Sequence, residues 1–122
     1  MTVPPPVIQR RRAERAALLA RARAFVETIP DGVRLRAAVV VGSVARGDFN
    51  SWSDIDVVVI ADGLPERVLD RYTLLGRLPA RVEVVLWTPA EWDRQRQRRN
   101  PIAVEAVECG VWLVGGPSPG RR

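Results

Sequence analysis

Histidine and lysine are both absent from this 122-residue chain, and cysteine occurs once, as Cys109. Without histidine there is no His-based catalytic triad and no Cys/His zinc site. A single cysteine excludes a disulfide within the chain. No apolar run approaches the ~18 residues of a membrane span. The opening residues, MTVPPPVIQRRRAER, lack the apolar stretch of a secretory signal. The expectation is a cytoplasmic protein with no membrane partner. Because lysine is missing, all 19 basic residues are arginine, and against 14 acidic residues they leave a net charge of +5. Such uniformity looks like GC-rich coding bias. The surplus favours polyanionic ligands or an acidic protein partner and does not choose between them.

What is present reads as one small α/β (α+β) domain, long enough for one core but not for two. Residues 1–6 are proline-rich and expected to be flexible, 7–115 form the domain, and 116–122 (GPSPGRR) are expected to be a flexible tail. Leu18, Ala22, Phe25 and Ile29 recur at three- and four-residue steps, with Leu19 and Val26 beside them, which predicts a helix over 7–29. Valine-rich strands are predicted at 36–41, 55–61 and 81–87, the second apolar on both faces and so interior to a sheet. A second helix is predicted over about 65–77, with Val68, Leu69, Tyr72, Leu75 and Leu78 facing inward. Thr88-Pro89-Ala90-Glu91 has the form of a capping box opening a third helix. Asn100-Pro101 opens a fourth that closes at Gly110, and VWLV (111–114) reads as a short last strand. The sum is a mixed sheet of three or four strands with helices packed on it.

The stretch GSVARGDFNSWSDID (42–56) joins the first two strands. If those strands are antiparallel neighbours, Gly42-Ser43 at the end of the first and Asp54 and Asp56 at the start of the second share one sheet edge. The third strand follows a helical crossover and should run parallel to the second, which brings Glu83 to the same edge. Asp54 and Asp56 are two apart and share a face. Alone, a Gly-Ser after a strand is a turn and a D-x-D is solvated edge charge. Together they suit a divalent cation handling phosphate, because magnesium takes carboxylates, water and phosphate oxygens. The backbone after Gly42-Ser43, VARG, is able to turn helical and offer amides to a phosphate.

Gly42-Ser43, ten residues, then Asp54-Ile55-Asp56 resembles the G-S-x10-D-x-D signature of the DNA polymerase beta-like nucleotidyltransferase superfamily. The longer string GSVARGDFNSWSDIDVVV resembles its minimal nucleotidyltransferase branch, over roughly residues 34–115. The resemblance implies the polymerase beta-like fold and transfer of a nucleoside monophosphate from a triphosphate, ATP or another NTP, to an acceptor hydroxyl, with Mg2+ (two ions) and release of pyrophosphate. It implies that Asp54 and Asp56 bind both metals and that Glu83 is the third catalytic carboxylate. Gly42 and Ser43 correspond to the pair that contacts the triphosphate, and Arg46 to an arginine near the active site. The third acid is a glutamate where aspartate is commoner. Proteins of this branch are commonly paired with a helical HEPN-type toxin, the nucleotidyltransferase being the antitoxin that adenylylates a tyrosine on its partner. A single module without an acceptor domain fits such pairing.

Other readings stay open. Binding by occlusion with a vestigial metal site is the first alternative, a small-molecule transferase of the antibiotic-modifying kind the second, and a nucleic-acid binder the last. The run RQRQRR (94–99) has no interleaved aromatics and reads first as a solvated helix face. Arg46 is either a site residue or an ion-pair partner of Asp48 or another aspartate. Trp52 either anchors its loop or packs over a base, the anchor being favoured. Trp87, Trp92 and Trp112 read as core or interface packing, Tyr72 as core, and Cys109 as an inert buried thiol.

Overall fold

The computed structural model describes residues 6–118; the remainder of the two expected flexible ends lies outside the described residues. Pro6, placed by the sequence in the loose end, is the first residue of helix α1 (Pro6–Glu27). Proline suits that position, since its fixed φ is helical and its missing N–H is not needed in the first turn. The chain continues through β1 (Arg34–Val41), the short helix α2 (Gly42–Arg46), β2 (Ile55–Asp62), α3 (Val68–Leu75), β3 (Val82–Trp87), α4 (Pro89–Gln97), α5 (Pro101–Cys109) and β4 (Val111–Val114).

The four strands form one sheet in the order β3-β2-β1-β4. β1 runs antiparallel to β2 and to β4, while β2 and β3 are parallel, as the crossover through α3 requires. β2 is therefore interior, and its unbroken IDVVVIA run has a neighbour on each side. Alternation divides the side chains between two faces. Ala38, Val40, Ile55, Val57, Val59, Val84 and Leu86 meet Ala22, Phe25 and Val26 of α1 on one face. On the other, Val39, Val41, Val58 and Ile60 meet Trp92 of α4 and Ala103 and Ala106 of α5. Each fully buried valine or isoleucine contributes roughly 1.5–3 kcal/mol over the exposed state. The mixed sheet with helices packed on it, expected from the element order, is the one observed.

Both expected helix starts are present. Thr88 accepts from the Glu91 amide while Glu91 accepts from the Thr88 amide, and Asn100 accepts from the Ile102 amide at 2.9 Å. Trp92 is fully buried and meets Trp87 and Trp112 at ring-centroid distances of 6.1 and 5.9 Å. Its indole N–H donates to the Pro117 carbonyl at 3.0 Å.

Three expectations are corrected. Val68 and Leu69, predicted inward, are 55% and 73% exposed. α3 begins only at Val68, so its first turn projects from the body, and the residue it buries is Arg71. The Arg71 guanidinium donates to the Pro65 and Leu86 carbonyls and to Glu91 at 2.6 Å, which satisfies a charge that burial alone would penalise. Tyr72 packs against the core, half-buried, and its hydroxyl donates to the Val84 carbonyl. Cys109 is exposed rather than buried. α5 turns its alanines to the sheet, and at Gly110 the backbone comes so close to Val39 that a Cβ would lie 2.5 Å from its methyl group, leaving Cys109 on the outer side. Trp52 is 81% exposed and so does not anchor its loop in the core; it lies under the Arg81 guanidinium.

Several arginines are spent on the fold itself. Arg15 of α1 donates to the Val44 and Ala45 carbonyls at the end of α2, at 2.9 and 2.7 Å. One helical turn earlier, Arg11 donates to the Gly47 and Phe49 carbonyls and covers the Phe49 ring at 3.9 Å. The basic face of α1 thus braces the turn that follows β1. In the run 94–99, Arg94, Arg98 and Arg99 are exposed, while Arg96 pairs with Asp93 and packs on Trp92.

Candidate active site

The end of β1 and the starts of β2 and β3 meet at one edge of the sheet. In register, Val41 at the end of β1 faces Asp56, and Asp56 faces Glu83 across the parallel pair. Asp56 and Glu83 point to the same sheet face as Val58 and Val85, which places both on the side covered by α5. A cleft of about 290 Å³ opens there, walled by Val41, Gly42, Asp56, Glu83, Ile102 and Glu105 among others.

Gly42 ends the strand and starts α2 with φ +75, a conformation open to glycine and strained for other residues. Its α-carbon abuts Asp56 so closely that a Cβ would lie 2.4 Å from Oδ2. Glycine is needed here twice, for the turn and for the room. Ser43, half-buried, follows in the first turn of α2, and its carbonyl accepts from the Gly47 amide at 2.8 Å. The short helix that VARG was expected to permit is therefore formed.

Of the six residues singled out by the sequence, the structure gathers Gly42, Asp56 and Glu83 in the cleft wall. Asp54 is exposed in the turn before β2, close enough for its charge to act on Asp56. Arg46 is ion-paired at the rim of this edge. Its Nε donates to Asp48 at 3.2 Å and its Nη1 to Glu105 at 2.5 Å.

Glu105 is the residue that sequence reasoning missed. It stands in the middle of α5, half-buried, and accepts from the Gly42 amide at 3.0 Å as well as from Arg46. A signal was present: it is the lone acid in the apolar stretch IAVEAV. Nothing local says which edge of the sheet such a residue will reach.

The electrostatics are one-sided. Burial, then the charge of Glu83 and a hydrogen bond with it, then the charges of Asp54 and Glu105, push the Asp56 carboxyl up to about 6. The charged groups that raise it are the carboxylates of Glu83, Asp54 and Glu105. Carboxylate oxygens of this kind fit a divalent cation of the magnesium type. Among the described residues no three acidic, cysteine or histidine side chains form a cage for an ion by themselves. Among those residues, no helix is long and apolar enough to cross a membrane.

Comparison with known proteins agrees with this geometry. The family model of the nucleotidyltransferase domain matches residues 21–109. A Methanocaldococcus jannaschii protein that bears the name putative protein adenylyltransferase is 43% identical over 44 residues, 36% of this chain and 30% of that relative. The match thus spans less than a third of the relative's length. A solved Sulfolobus solfataricus structure, described as a putative nucleotidyltransferase, shares the fold with a TM-score of 0.61 at 24% identity over 84% of each chain. With the domain match running over most of its length and containing the whole Gly-Ser to Asp-x-Asp edge, the chain belongs to the nucleotidyltransferase domain family, as the resemblance of that stretch implied.

Proposed function

We propose that this chain is a magnesium-dependent nucleotidyltransferase that moves a nucleoside monophosphate, AMP from ATP, onto an acceptor hydroxyl. The observation that carries the reading is the register Val41–Asp56–Glu83, which sets two carboxylates beside the Gly42 turn in one cleft. In this reading Asp54, Asp56 and Glu83 hold the metal, and Ser43, with its amide and hydroxyl, receives the triphosphate at the turn that Gly42 opens, with Arg46 beside them. Magnesium, when bound, screens the phosphate charge and favours ionisation of the acceptor hydroxyl. Glu83, on the open side of the pair, takes up the hydroxyl proton. The acceptor oxygen forms its bond to the α-phosphorus while the bond to the pyrophosphate oxygen breaks, and pyrophosphate leaves with its electron pair. Gly42, lacking a side chain, lets the turn pack directly against the Asp56 carboxylate.

For the acceptor we favour a hydroxyl on a protein, the class named for the Methanocaldococcus relative. A HEPN-type helical toxin, with this chain as its cytoplasmic antitoxin, is the partner the sequence resemblance suggests. The exposed Val68, Leu69 and Leu74 of α3 offer an apolar surface for such a partner. The same surface favours a second reading, neutralisation of the partner by contact alone.

The experiment incubates the protein with Mg2+, α-labelled nucleoside triphosphates and the product of the adjacent gene, then follows label into protein. Transfer that is lost with Asp56→Asn and with chelator supports the enzyme. Absent transfer, with partner neutralisation unchanged in Asp56→Asn, supports occlusion instead.

A further inference from the structure

We propose that Glu105 is a positioning residue of this site, an α5 carboxylate that holds the Gly42 amide and the Arg46 guanidinium in the geometry the nucleotide meets. The role rests on the nucleotidyltransferase reading above. Both bonds end on the same oxygen: Oε1 accepts from the Gly42 N–H at 3.0 Å and from Arg46 Nη1 at 2.5 Å. Arg46 is held at a second point by Asp48, 3.2 Å from its Nε, so the guanidinium has two fixed partners instead of a free arc of motion. Glu105 is 63 residues from Gly42 in sequence, and the bond ties α5 to the turn between β1 and α2.

The placement gives this bond leverage. Gly42 has φ +75, and its α-carbon abuts Asp56, so a small shift of the turn moves backbone against a metal-site carboxylate. A charged acceptor on the Gly42 amide fixes that turn more firmly than a neutral one, since charge-assisted hydrogen bonds are about twice as strong. Arg46 gains as well. Without Glu105 its side chain keeps only the exposed contact to Asp48, which solvent screens. Glu105 touches neither metal nor acceptor in this role; it acts through the residues it holds.

The test is a double-mutant cycle read by binding of α,β-methylene ATP with Mg2+, a nucleotide whose α-phosphate is not transferred. Arg46→Ala weakens binding about tenfold, Glu105→Ala weakens it further because the Gly42 amide is released as well, and the double variant is no weaker than Glu105→Ala alone, because the Arg46 effect runs through that pair. In the protein without nucleotide, the Gly42 amide resonance shifts upfield in Glu105→Ala and stays near its wild-type position in Glu105→Gln, which keeps an oxygen for it. Glu105→Gln loses the charge facing Arg46 and gives an intermediate loss of binding. If the alanine variant does not fold, the cycle between Glu105→Gln and Arg46→Ala carries the comparison. Additive losses, or an unmoved Gly42 resonance, with wild-type binding intact overturn the positioning role alone. Wild-type protein that binds no analogue overturns the nucleotidyltransferase reading and this role with it.

Discussion

Gly42 and Asp56 touch where the β1–β2 pair ends: a single methyl group added to Gly42 would lie 2.4 Å from an Asp56 carboxylate oxygen. The contact ties the phosphate-side turn to the acidic strand and makes each sensitive to the other. Gly42→Ala must both adopt φ +75 and displace Asp56. Each of these costs on the order of 1–3 kcal/mol. The expected outcome is a loss of about 2–6 kcal/mol in denaturant unfolding, and nucleotidyl transfer reduced at least a hundredfold. Transfer within tenfold of wild type contradicts the close packing.

Asp56 sits among carboxylates, so its charge works against the fold when no cation is present. Asp56→Asn, measured in chelator at neutral pH, should therefore raise the unfolding midpoint, by about 1 kcal/mol or roughly 3–6 °C. The same substitution abolishes transfer, so stability and activity move in opposite directions. Magnesium should stabilise the wild type and leave Asp56→Asn nearly unmoved. Equal magnesium stabilisation of both proteins argues against the ion site.

Arg71 and Glu91 join α3 to α4 across the end of β3. Burial pushes the Glu91 carboxyl up, but hydrogen bonds from Arg71 and from the Thr88 amide, with the Arg71 charge, pull it down further, to a net value below its ordinary one. A carboxylate lowered in the folded state contributes stability above its unfolded pKa, near 4.3. That contribution is lost as pH falls through the folded value. Urea midpoints should thus fall between pH 6 and pH 3 in the wild type, and fall less in Glu91→Gln. At pH 7, Glu91→Ala should cost about 3 kcal/mol by stranding the buried guanidinium. A parallel pH dependence in the two proteins would falsify the assignment.

Trp52 offers the reverse case. With its ring 81% exposed, Trp52→Ala should change stability by no more than about 0.5 kcal/mol. A loss above about 1.5 kcal/mol in chemical denaturation would restore the anchoring role expected from the sequence.

Much of the site was legible before any coordinates. The spacing of Gly42-Ser43 and Asp54-x-Asp56, the alternation through Ile55, Val57 and Val59, and the crossover to Glu83 all follow from local rules of strand period and connection. The antiparallel β1–β2 pair and the parallel β2–β3 pair have the expected senses, and Asp56 lies opposite Val41 and Glu83. Other features were hidden. Val68 and Leu69 have the spacing of inward residues, yet the late start of α3 leaves them outside and Arg71 inside. Cys109 lies in an apolar segment, yet the chain turns away beneath it at Gly110.

The sequence by itself determined which side chains share a face and which strand ends share an edge, because backbone period and short connections are local properties. Only the tertiary structure decided what faces them. Glu105 reaches Gly42 and Arg46 across 63 and 59 residues, and Arg11 and Arg15 reach the α2 turn from α1. Those partners are chosen by how helices seat on the two faces of the sheet. Periodicity says that a helix has a side to bury; it does not say where along the sheet that side will come to rest.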